Sequence, residues 1–326
     1  MKRPAKVQSK DNVGEMPQPY ATPYHAPVLC KEVCLHLIGD PNGIYVDGTL
    51  GGGGHTAALL DQLKPNARVI GIDQDHEALR VAGERLVHDT RFTPLYGNFS
   101  HLKALLQQLG IDKVDGVLLD LGVSSHQLDN RSRGFSFQGT GPLDMRMDPQ
   151  TGIPASALIN HLDEQALRRI IWTFGEERRA VAVVRNVLKK RPFETTEAFA
   201  DCIREVVQGP EQHKTLARVF QAFRIAVNEE LTVLEDALRA TLTLVKPGGR
   251  LAVITYHSLE DRPVKRFLKF GNFEGIPYKD FFGNLITPWE LILPKAIEAT
   301  ENEIFTNPRA RSAKLRIATR IETPSA

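Results

Sequence analysis

Four consecutive glycines, Gly51 to Gly54, follow an apolar segment that ends in the carboxylate of Asp47, and His55 comes directly after them. A strand in this place would deliver Asp47 to the carboxyl edge of a sheet. Backbone without side chains would let a ligand lie against the amides that open the next helix. Each glycine costs roughly 0.5 to 1 kcal/mol of conformational entropy, which disfavours a loop without a ligand. The pattern predicts a ligand-binding loop.

The ligand predicted for this loop is S-adenosylmethionine. A dinucleotide-binding fingerprint needs glycines at the first, third and sixth positions of a six-residue window, and no window between Gly48 and Ala58 has all three. The loop resembles instead the D-x-x-x-G-x-G signature of enzymes that use S-adenosylmethionine. A helix start would then face the carboxylate of the ligand.

Asp47, Asp73 and Asp120 each close a predicted strand. In an open parallel sheet such ends line one crevice where the strand order reverses, so we expect the three acids to share one rim. Asp73 lies 19 residues past Gly54, the spacing at which a carboxylate accepts hydrogen bonds from ribose hydroxyls. Asp120 would flank the adenine or the methionine amino group.

Two further side chains are candidates for this crevice. Phe99 follows the third predicted strand and could cover the adenine face, although core packing explains it as well. His55, at a predicted helix start, could donate a hydrogen bond to a carboxylate, and a solvent-facing cap is the alternative.

A regular alternation of predicted strands and helices positions these candidate residues at strand ends and helix starts. Strands are predicted at 43–47, 68–73, 92–96 and 114–120, separated by helices at 56–63, 75–87 and 101–109, with a first helix at 31–37. The order strand, helix, strand, helix predicts a parallel sheet. A long loop without clear period follows at 127–147. Helices alone are predicted at 163–174, 176–190 and 196–208, then a longer one from Phe220 to Leu234, before a strand at 250–256 and a last edge strand at 314–320.

Longer motifs extend from one end of this pattern to the other. They are Pro27-Val28-Leu29, Asp120-Leu121-Gly122-Val123-Ser124-Ser125, Arg133-Gly134-Phe135-Ser136-Phe137, Gly141-Pro142-Leu143-Asp144-Met145-Arg146-Met147-Asp148, Phe220-Gln221-Ala222-Phe223-Arg224-Ile225, His257-Ser258-Leu259-Glu260-Asp261-Arg262 and Arg311-Ser312-Ala313-Lys314-Leu315-Arg316. From His25 to Arg316 the sequence resembles the RsmH (MraW) family, bacterial methyltransferases of small-subunit ribosomal RNA.

That resemblance implies transfer of a methyl group from S-adenosylmethionine to N4 of a cytosine in the decoding centre of 16S rRNA. The implied cofactor contacts are Gly53, Gly54, His55, Asp73, Phe99, Asp120 and Gln127. Gln127 rests on the resemblance alone. We therefore expect an α/β fold, a Rossmann-like, doubly wound and mostly parallel sheet with an inserted all-helical domain. The expected units are a disordered tail at 1–24, a methyltransferase domain at 25–127 and 225–326, and a helical RNA-recognition domain at 128–224.

The chain departs from the family pattern at four positions, none of which removes an expected contact. His126 replaces a usual proline, Leu50 a frequent phenylalanine, Tyr256 a phenylalanine and Ala310 a common serine. Proline would fix the local backbone, so His126 puts in doubt how rigidly Gln127 is held.

Catalysis on an exocyclic amine calls for hydrogen-bond acceptors near the methyl donor. The Pro-Pro-aromatic motif that amino-methyltransferases usually place after the fourth strand is absent. We expect Asp120 or the backbone of residues 122–124 to be the acceptor, with Asp144 and His257 as less favoured candidates. No cysteine is placed for covalent attack on a pyrimidine ring.

Binding of 16S rRNA or the small ribosomal subunit must come from local patches, since the net charge is only +2. Residues 168–191 hold eight basic and two acidic residues, and residues 305–320 hold five basic and none acidic. A solvated helix face is the alternative for the first segment. Arg131, Arg133 and Arg146 could clamp a flipped nucleotide, with Phe135 or Phe137 as a stacking surface or as core.

Three cysteines and the lack of a long apolar segment favour a cytoplasmic protein without a disulfide framework or a membrane span. Cys30 and Cys34, near His25 and His36, raise the question of a metal site, but we expect buried thiols and no metal. Oligomeric state stays open, a homodimer included. The alternatives in function are a DNA amino-methyltransferase and a ribosome assembly factor that binds S-adenosylmethionine without turnover.

Overall fold

The computed structural model describes Tyr20 and residues 27–322, so the predicted disordered tail lies, Tyr20 apart, outside the described residues. An eight-stranded sheet forms the centre of this part of the chain. Its strands are β1 Ile44–Asp47, β2 Arg68–Asp73, β3 Phe92–Tyr96, β4 Val114–Asp120, β5 Val245–Thr255, β6 Trp289–Leu291, β7 Ile297–Glu298 and β8 Lys314–Arg320.

The strand order is β3-β2-β1-β4-β5-β8-β6, with β7 also paired to β8. Strands β1 to β5 are parallel, whereas β8 runs antiparallel to β5, β6 and β7. The order reverses between β1 and β4, so the carboxyl ends of these two strands open a crevice. This topology confirms the predicted doubly wound, mostly parallel sheet.

Helices cover both faces of the sheet and form a separate lobe beside it. They are α1 Cys30–Leu37, α2 Gly54–Gln62, α3 His76–Arg85, α4 Leu102–Gln108, α5 Ser125–Asp129, α6 Ala155–His161, α7 Glu164–Gly175, α8 Ala180–Lys190, α9 Thr196–Val206, α10 Gln212–Asn228, α11 Glu230–Leu244, α12 Ser258–Phe270 and α13 Glu301–Thr306. One face of the sheet packs on α4, α11 and α12, for example through Leu234 and Phe267. The other packs on α1 and α2 through Val33 and Leu59.

Helices α6 to α10, inserted between β4 and β5, share a core of their own. Phe199 lies at its centre, with the rings of Phe220 and Phe223 at centroid distances of 5.6 and 5.5 Å. The inserted helical unit is thus present as expected. Its predicted boundary between residues 224 and 225 falls within α10, and the exact domain limits stay a prediction.

Two expectations about elements are wrong. The helical pattern from Phe220 to Leu234 is two helices, because Glu229 adopts a left-handed φ of 49° between α10 and α11. This lets α10 pack in the helical lobe while α11 packs on the sheet. The segment 314–320 is not an edge strand, since β8 lies between β5 and β6; β6 and β7 are too short for a sequence period to reveal them.

No helix among the described residues has the length and apolar character needed to cross a membrane.

Candidate active site

An open pocket of about 770 Å³ lies at the carboxyl ends of β1, β2 and β4. Six of the seven predicted contacts line it: Gly54, His55, Asp73, Phe99, Asp120 and Gln127. Gly53 is not among the lining residues. Its φ of 72° is one that glycine favours, and a Cβ there would lie 3.2 Å from the Cβ of Ala82. Gly53 therefore shapes the turn and its packing on α3, while the other six residues face one cavity.

The glycine loop is tied to both neighbouring strands. The Gly48 amide donates to the Leu118 carbonyl of β4 at 2.9 Å, and the Leu50 amide donates to the Ile72 carbonyl of β2 at 3.0 Å. Gly51 has a φ of 50°, which most side chains disfavour. The loop is thus an ordered turn that presents backbone and the start of α2 to the pocket.

Asp73 lines the pocket while also bracing this loop. Its two carboxylate oxygens accept the amides of Gly51 and Asp75, each at 2.8 Å. Burial raises the pKa of Asp73 to about 6, although the two amides lower it. Each carboxylate oxygen can accept a further hydrogen bond, so donor hydroxyls from a ligand would favour the ionised form.

Asp47 does not share the rim with Asp73 and Asp120, which corrects the expectation from the sequence. Its side chain is 1% exposed and lies beneath the loop, where it accepts the Thr56 hydroxyl at 2.8 Å and the Thr49 amide at 3.2 Å. Burial raises its pKa. Asp47 therefore anchors the first turn of α2, and the ligand-facing acids are two.

Asp120 sits at the end of β4 in a network of polar side chains. The Tyr256 hydroxyl donates to its Oδ1 at 2.8 Å, and His55 Nδ1 lies 3.6 Å from its Oδ2. The Asp120 amide donates to the Thr49 hydroxyl at 2.6 Å. His55 Nε2 lies 2.9 Å from the Val28 carbonyl and must be the donor there, since a carbonyl only accepts. The Asp120 carboxylate is therefore held in one orientation at the pocket wall.

Tyr256 is a neutral donor in this network. Burial raises the pKa of Tyr256 well above its ordinary value, and the charge of Asp120 raises it further. A phenylalanine at this position would supply no hydroxyl. In this chain the hydroxyl adds a contact that orients Asp120.

Gln127 is rigid although His126 is not a proline. The Gln127 amide donates to Ser124 Oγ at 3.1 Å, and Gln127 Oε1 accepts the Ser124 amide at 3.0 Å, which together form a capping box. Its Nε2 donates to Asp75 at 3.1 Å. Helix capping thus supplies the order that proline would have supplied.

The long loop after α5 folds back onto the pocket, and this changes the expected roles of its arginines. Arg133 is 9% exposed and donates to Asp75 Oδ2 at 2.6 Å and to the Met147 carbonyl at 2.8 Å. It is therefore too buried to clamp a nucleotide. Arg146 pairs with both oxygens of Asp144 at 2.8 Å. Asp144 does not line the pocket, which removes its support as a proton acceptor.

The two phenylalanines of this loop are part of the helical core. Phe135 is 6% exposed, and Phe137 packs edge-on against Phe220 at a centroid distance of 5.4 Å. Of the two interpretations left open by the sequence, core packing is the one that the structure supports.

The lining residues that were not anticipated include Gln74, Asn98, Met147 and Tyr256. Asn98 Nδ2 donates to Gln74 Oε1 at 2.7 Å, and Gln74 Nε2 lies 3.3 Å from the Met147 sulfur. The position of Gln74 directly after Asp73 is a sequence signal that could have identified it. Met147 carries no such signal, because only the folded loop brings it to the pocket.

A smaller cavity of about 410 Å³ adjoins the pocket, shares Phe99 and Gly122 with it, and reaches Glu230 and Glu260. Arg224 donates to both oxygens of Glu230 at 2.8 Å. Although burial alone would raise the pKa of Glu260, the contact with His257 at 3.0 Å lowers it. A buried ionic cluster therefore closes the inner end of the cavity.

Glu230, His257 and Glu260 could together hold a metal ion, since their ligand atoms lie within 4.8 Å of one another. The Arg224 guanidinium already supplies positive charge there, paired with Glu230 and 3.9 Å from Glu260. Cys30 belongs to a different part of the fold and is a free thiol. That no metal is needed stays a prediction.

The basic segments differ in what their side chains contact. Arg316 pairs with Asp261 at 2.7 Å, and Arg320 donates to the Pro288 carbonyl at 3.0 Å. These two arginines support the fold, and the expectation that the segment 305–320 neutralises phosphate stays a prediction. The helical lobe keeps a larger exposed set: Arg168, Arg169, Arg178, Arg179, Arg185, Lys189 and Lys190.

Comparison with known proteins gives consistent matches over most of the chain. The model of the MraW methylase family matches residues 22–321. Ribosomal RNA small subunit methyltransferase H from Bacteroides fragilis is 46% identical over 300 residues, covering 91% of this chain and 97% of that protein. The protein of the same name from Flavobacterium johnsoniae is 44% identical over 301 residues, covering 91% and 98%. A solved rRNA methylase from Streptococcus thermophilus has a TM-score of 0.39 and 12% identity, covering 90% and 94%, a likeness too low for a functional inference.

Proposed function

This chain belongs to the MraW methylase family, and we propose that it is a methyltransferase of small-subunit ribosomal RNA that uses S-adenosylmethionine. We further propose that it modifies N4 of a cytosine in the decoding centre of 16S rRNA. The observation that carries the proposal is the convergence of six predicted contacts in one pocket at the switch point of the sheet. The substrate class follows the name of its relatives, and the N4 position follows the family resemblance.

The residues present fit S-adenosylmethionine. Asp73, whose burial disfavours its charge, would accept the ribose hydroxyls. Phe99 would cover the adenine, and the amides that open α2 at Gly54 and His55 would face the carboxylate. When bound, the cofactor supplies a methyl group activated by a sulfonium.

Asp120 would act on the cytosine amine. The lone pair of this amine is delocalised into the ring, and an acceptor for its N–H groups favours the pyramidal, reactive nitrogen. The Asp120 carboxylate is positioned by Tyr256 and would orient the amine toward the methyl donor; a near-attack separation is about 3 to 3.5 Å. It is also the group that we expect to take the proton of the amine as the new bond forms.

The test is mass spectrometry of small-subunit RNA from cells with the gene deleted and then restored. We expect the N4 methyl to disappear in the deletion and return on restoration. Purified protein with labelled S-adenosylmethionine should label rRNA and leave DNA unlabelled. Labelled DNA would favour a DNA amino-methyltransferase. Binding of cofactor and subunits without any labelling would favour an assembly factor.

The variant Asp73→Ala should weaken cofactor binding by about 1 to 3 kcal/mol, because two hydroxyls of the bound ribose would lose their acceptor. Isothermal titration calorimetry measures this directly. Asp112→Ala is a control at an exposed acid remote from the pocket, and its affinity should equal that of the wild type. Unchanged affinity in Asp73→Ala would remove Asp73 from the cofactor site.

Cofactor affinity should also depend on pH through Asp73. Ribose hydroxyls bind the ionised carboxylate, so affinity should be constant above the pKa of about 6 and fall by up to tenfold per unit below it. Calorimetry between pH 5 and 8 would show the bend. Asp73→Asn cannot titrate and should lack that bend; a wild-type profile parallel to that of Asp73→Asn would contradict the assignment.

A further inference from the structure

Residues 278–286 form a hairpin with two solvent-exposed phenylalanine side chains at its tip, and we call it the aromatic hairpin. Ile286 donates its amide to the Tyr278 carbonyl at 2.8 Å, and Asp280 donates its amide to the Asn284 carbonyl at 2.9 Å. Phe281 is 98% exposed and Phe282 is 84% exposed. Adjoining apolar side chains exposed to water are candidates for an interaction site.

The tip of the aromatic hairpin is ordered, so the exposure is a built feature. The Asp280 carboxylate accepts the amides of Phe282 at 2.9 Å and Asn284 at 2.8 Å, as well as the Asn284 side-chain amide at 2.9 Å. The rings of Phe281 and Phe282 meet edge to face at 5.6 Å. One carboxylate thus holds a turn that presents both rings outward.

The base of the aromatic hairpin is fastened to the end of α12. Asn272 Oδ1 accepts the amides of Gly275 at 2.8 Å and Ile276 at 3.0 Å, and its Nδ2 donates to the Ile276 carbonyl at 2.7 Å. Gly271, the C-cap of α12, approaches Pro288 so closely that a Cβ would lie 2.5 Å from it. Helix and hairpin therefore form one continuous surface.

The outer side of α12 is basic along its length. Arg262, Lys265, Arg266 and Lys269 are exposed, and their spacing of three and four places them on one side of the helix; we call them the basic stripe. The acids of α12 turn inward, where Glu260 meets His257 and Asp261 pairs with Arg316. The stripe spans eight residues, a rise of about 10 Å along the helix axis.

The basic stripe leads from the candidate active site to the aromatic hairpin. Helix α12 starts at Ser258, two residues after Tyr256 of the pocket wall, and runs back along the sheet to Gly271. Arg262, at the pocket end, lies 3.5 Å from Glu176 of the helical lobe. A strand of RNA that leaves the pocket beside α12 would meet four cations and then two aromatic rings.

We propose that the basic stripe and the aromatic hairpin bind an unpaired segment of the small-subunit RNA, with phosphates along the stripe and bases on Phe281 and Phe282. The inference rests on the proposed function. Cations in a row with exposed aromatic rings are the features that bind single strands. A second copy of this chain fits less well, because a twofold contact would bring two basic stripes together. Between the basic stripe and the aromatic hairpin, Glu274 is the acidic residue with an exposed side chain, so the charge of this surface is mainly positive.

The experiment measures binding of a 16S rRNA fragment that spans the decoding centre by full-length protein at several salt concentrations. In Phe281→Ser/Phe282→Ser, Kd should rise about tenfold or more, with an unchanged salt slope. In Lys265→Gln/Lys269→Gln, the slope of log Kd against log salt should fall by about 1.4, or about 0.7 per phosphate contact. All four side chains are exposed, so folding is preserved, and cofactor affinity should not change.

Leu35→Ser and Lys64→Gln are matched controls, an exposed apolar and an exposed basic residue elsewhere on the surface, and both should bind RNA as the wild type does. RNA binding within twofold of wild type in both double variants would overturn the proposal. A double variant that loses self-association in light scattering while keeping its RNA affinity would overturn it in favour of a second copy. If the wild type binds neither the RNA fragment nor small ribosomal subunits, the proposed function fails instead.

Discussion

Asp120→Asn is expected to lower kcat for RNA methylation by about 10²- to 10⁴-fold, the usual contribution of a positioned proton acceptor. The asparagine keeps the size of the side chain and can still receive the Tyr256 hydroxyl, which lies 2.8 Å from Asp120 Oδ1. It loses the charge that favours the pyramidal amine and the basicity that takes its proton. Single-turnover rates at saturating cofactor and RNA would isolate this step from binding.

Tyr256→Phe tests the same site with a smaller change than Asp120→Asn. It removes the hydroxyl that orients Asp120 and leaves the carboxylate in place, so its rate loss should be much smaller, about five- to tenfold, as expected for one hydrogen bond of about 1 kcal/mol. A rate for Asp120→Asn within threefold of wild type would exclude Asp120 as the acceptor. The backbone carbonyls of residues 122–124 would then be the remaining candidates.

Arg133→Ala is expected to destabilise the protein by about 3 to 5 kcal/mol, because it would leave the Asp75 carboxylate buried without its cation. The Arg133 side chain is 10% exposed and that of Asp75 is 4% exposed, with 2.6 Å between Nη1 and Oδ2. The same guanidinium holds the Met147 carbonyl of the long loop at 2.8 Å. Urea unfolding should show a lower midpoint, and the cofactor affinity should fall as the loop detaches from the pocket.

Arg80→Ala is the control for this prediction because it removes an arginine that is paired to a carboxylate at the protein surface, that of Glu84 in α3. The Arg80 and Glu84 side chains are 58% and 66% exposed, and exposed pairs contribute little. The free energy of unfolding should therefore stay within about 0.5 kcal/mol of wild type. A loss below about 1 kcal/mol in Arg133→Ala would show that Asp75 is adequately stabilised by Gln127 and its other contacts alone.

The parallel part of the fold could be predicted because each of its elements carries a local signal. β2, β3 and β4 have the predicted bounds. For β2 and β4 the reason is that buried strands of a parallel sheet are short apolar runs between turn signals. The α10–α11 break at Glu229 and the position of β8 inside the sheet could not be predicted in this way. The helix break and the position of β8 both depend on the hydrophobic core against which each segment packs. The hydrophobic periodicity of a segment is the same whichever core it packs against.

The residues of the candidate site likewise fall into those with a local sequence signal and those whose position depends on tertiary contacts. Asp73, Phe99 and Asp120 could be predicted because the end of a parallel strand is a fixed place in the fold. Asp47 also ends a parallel strand, yet its side chain lies beneath the loop. There its carboxylate accepts hydrogen bonds from the hydroxyl of Thr56 and the amide of Thr49. Arg133 and Arg146 looked available for nucleotide binding, and only their carboxylate partners, Asp75 and Asp144, show that they hold the loop.

The sheet, the glycine loop and the family could be predicted from the sequence alone, because backbone conformation, strand ends and long motifs are properties of neighbouring residues. Which charges are exposed and which are paired within the fold became known only from the tertiary contacts. Residues that pair across 55 or more positions, such as Arg316 with Asp261 and Arg133 with Asp75, leave no trace in local composition. The exposed cations of α12 became distinguishable from these buried ones once the side of the helix that faces the core was known.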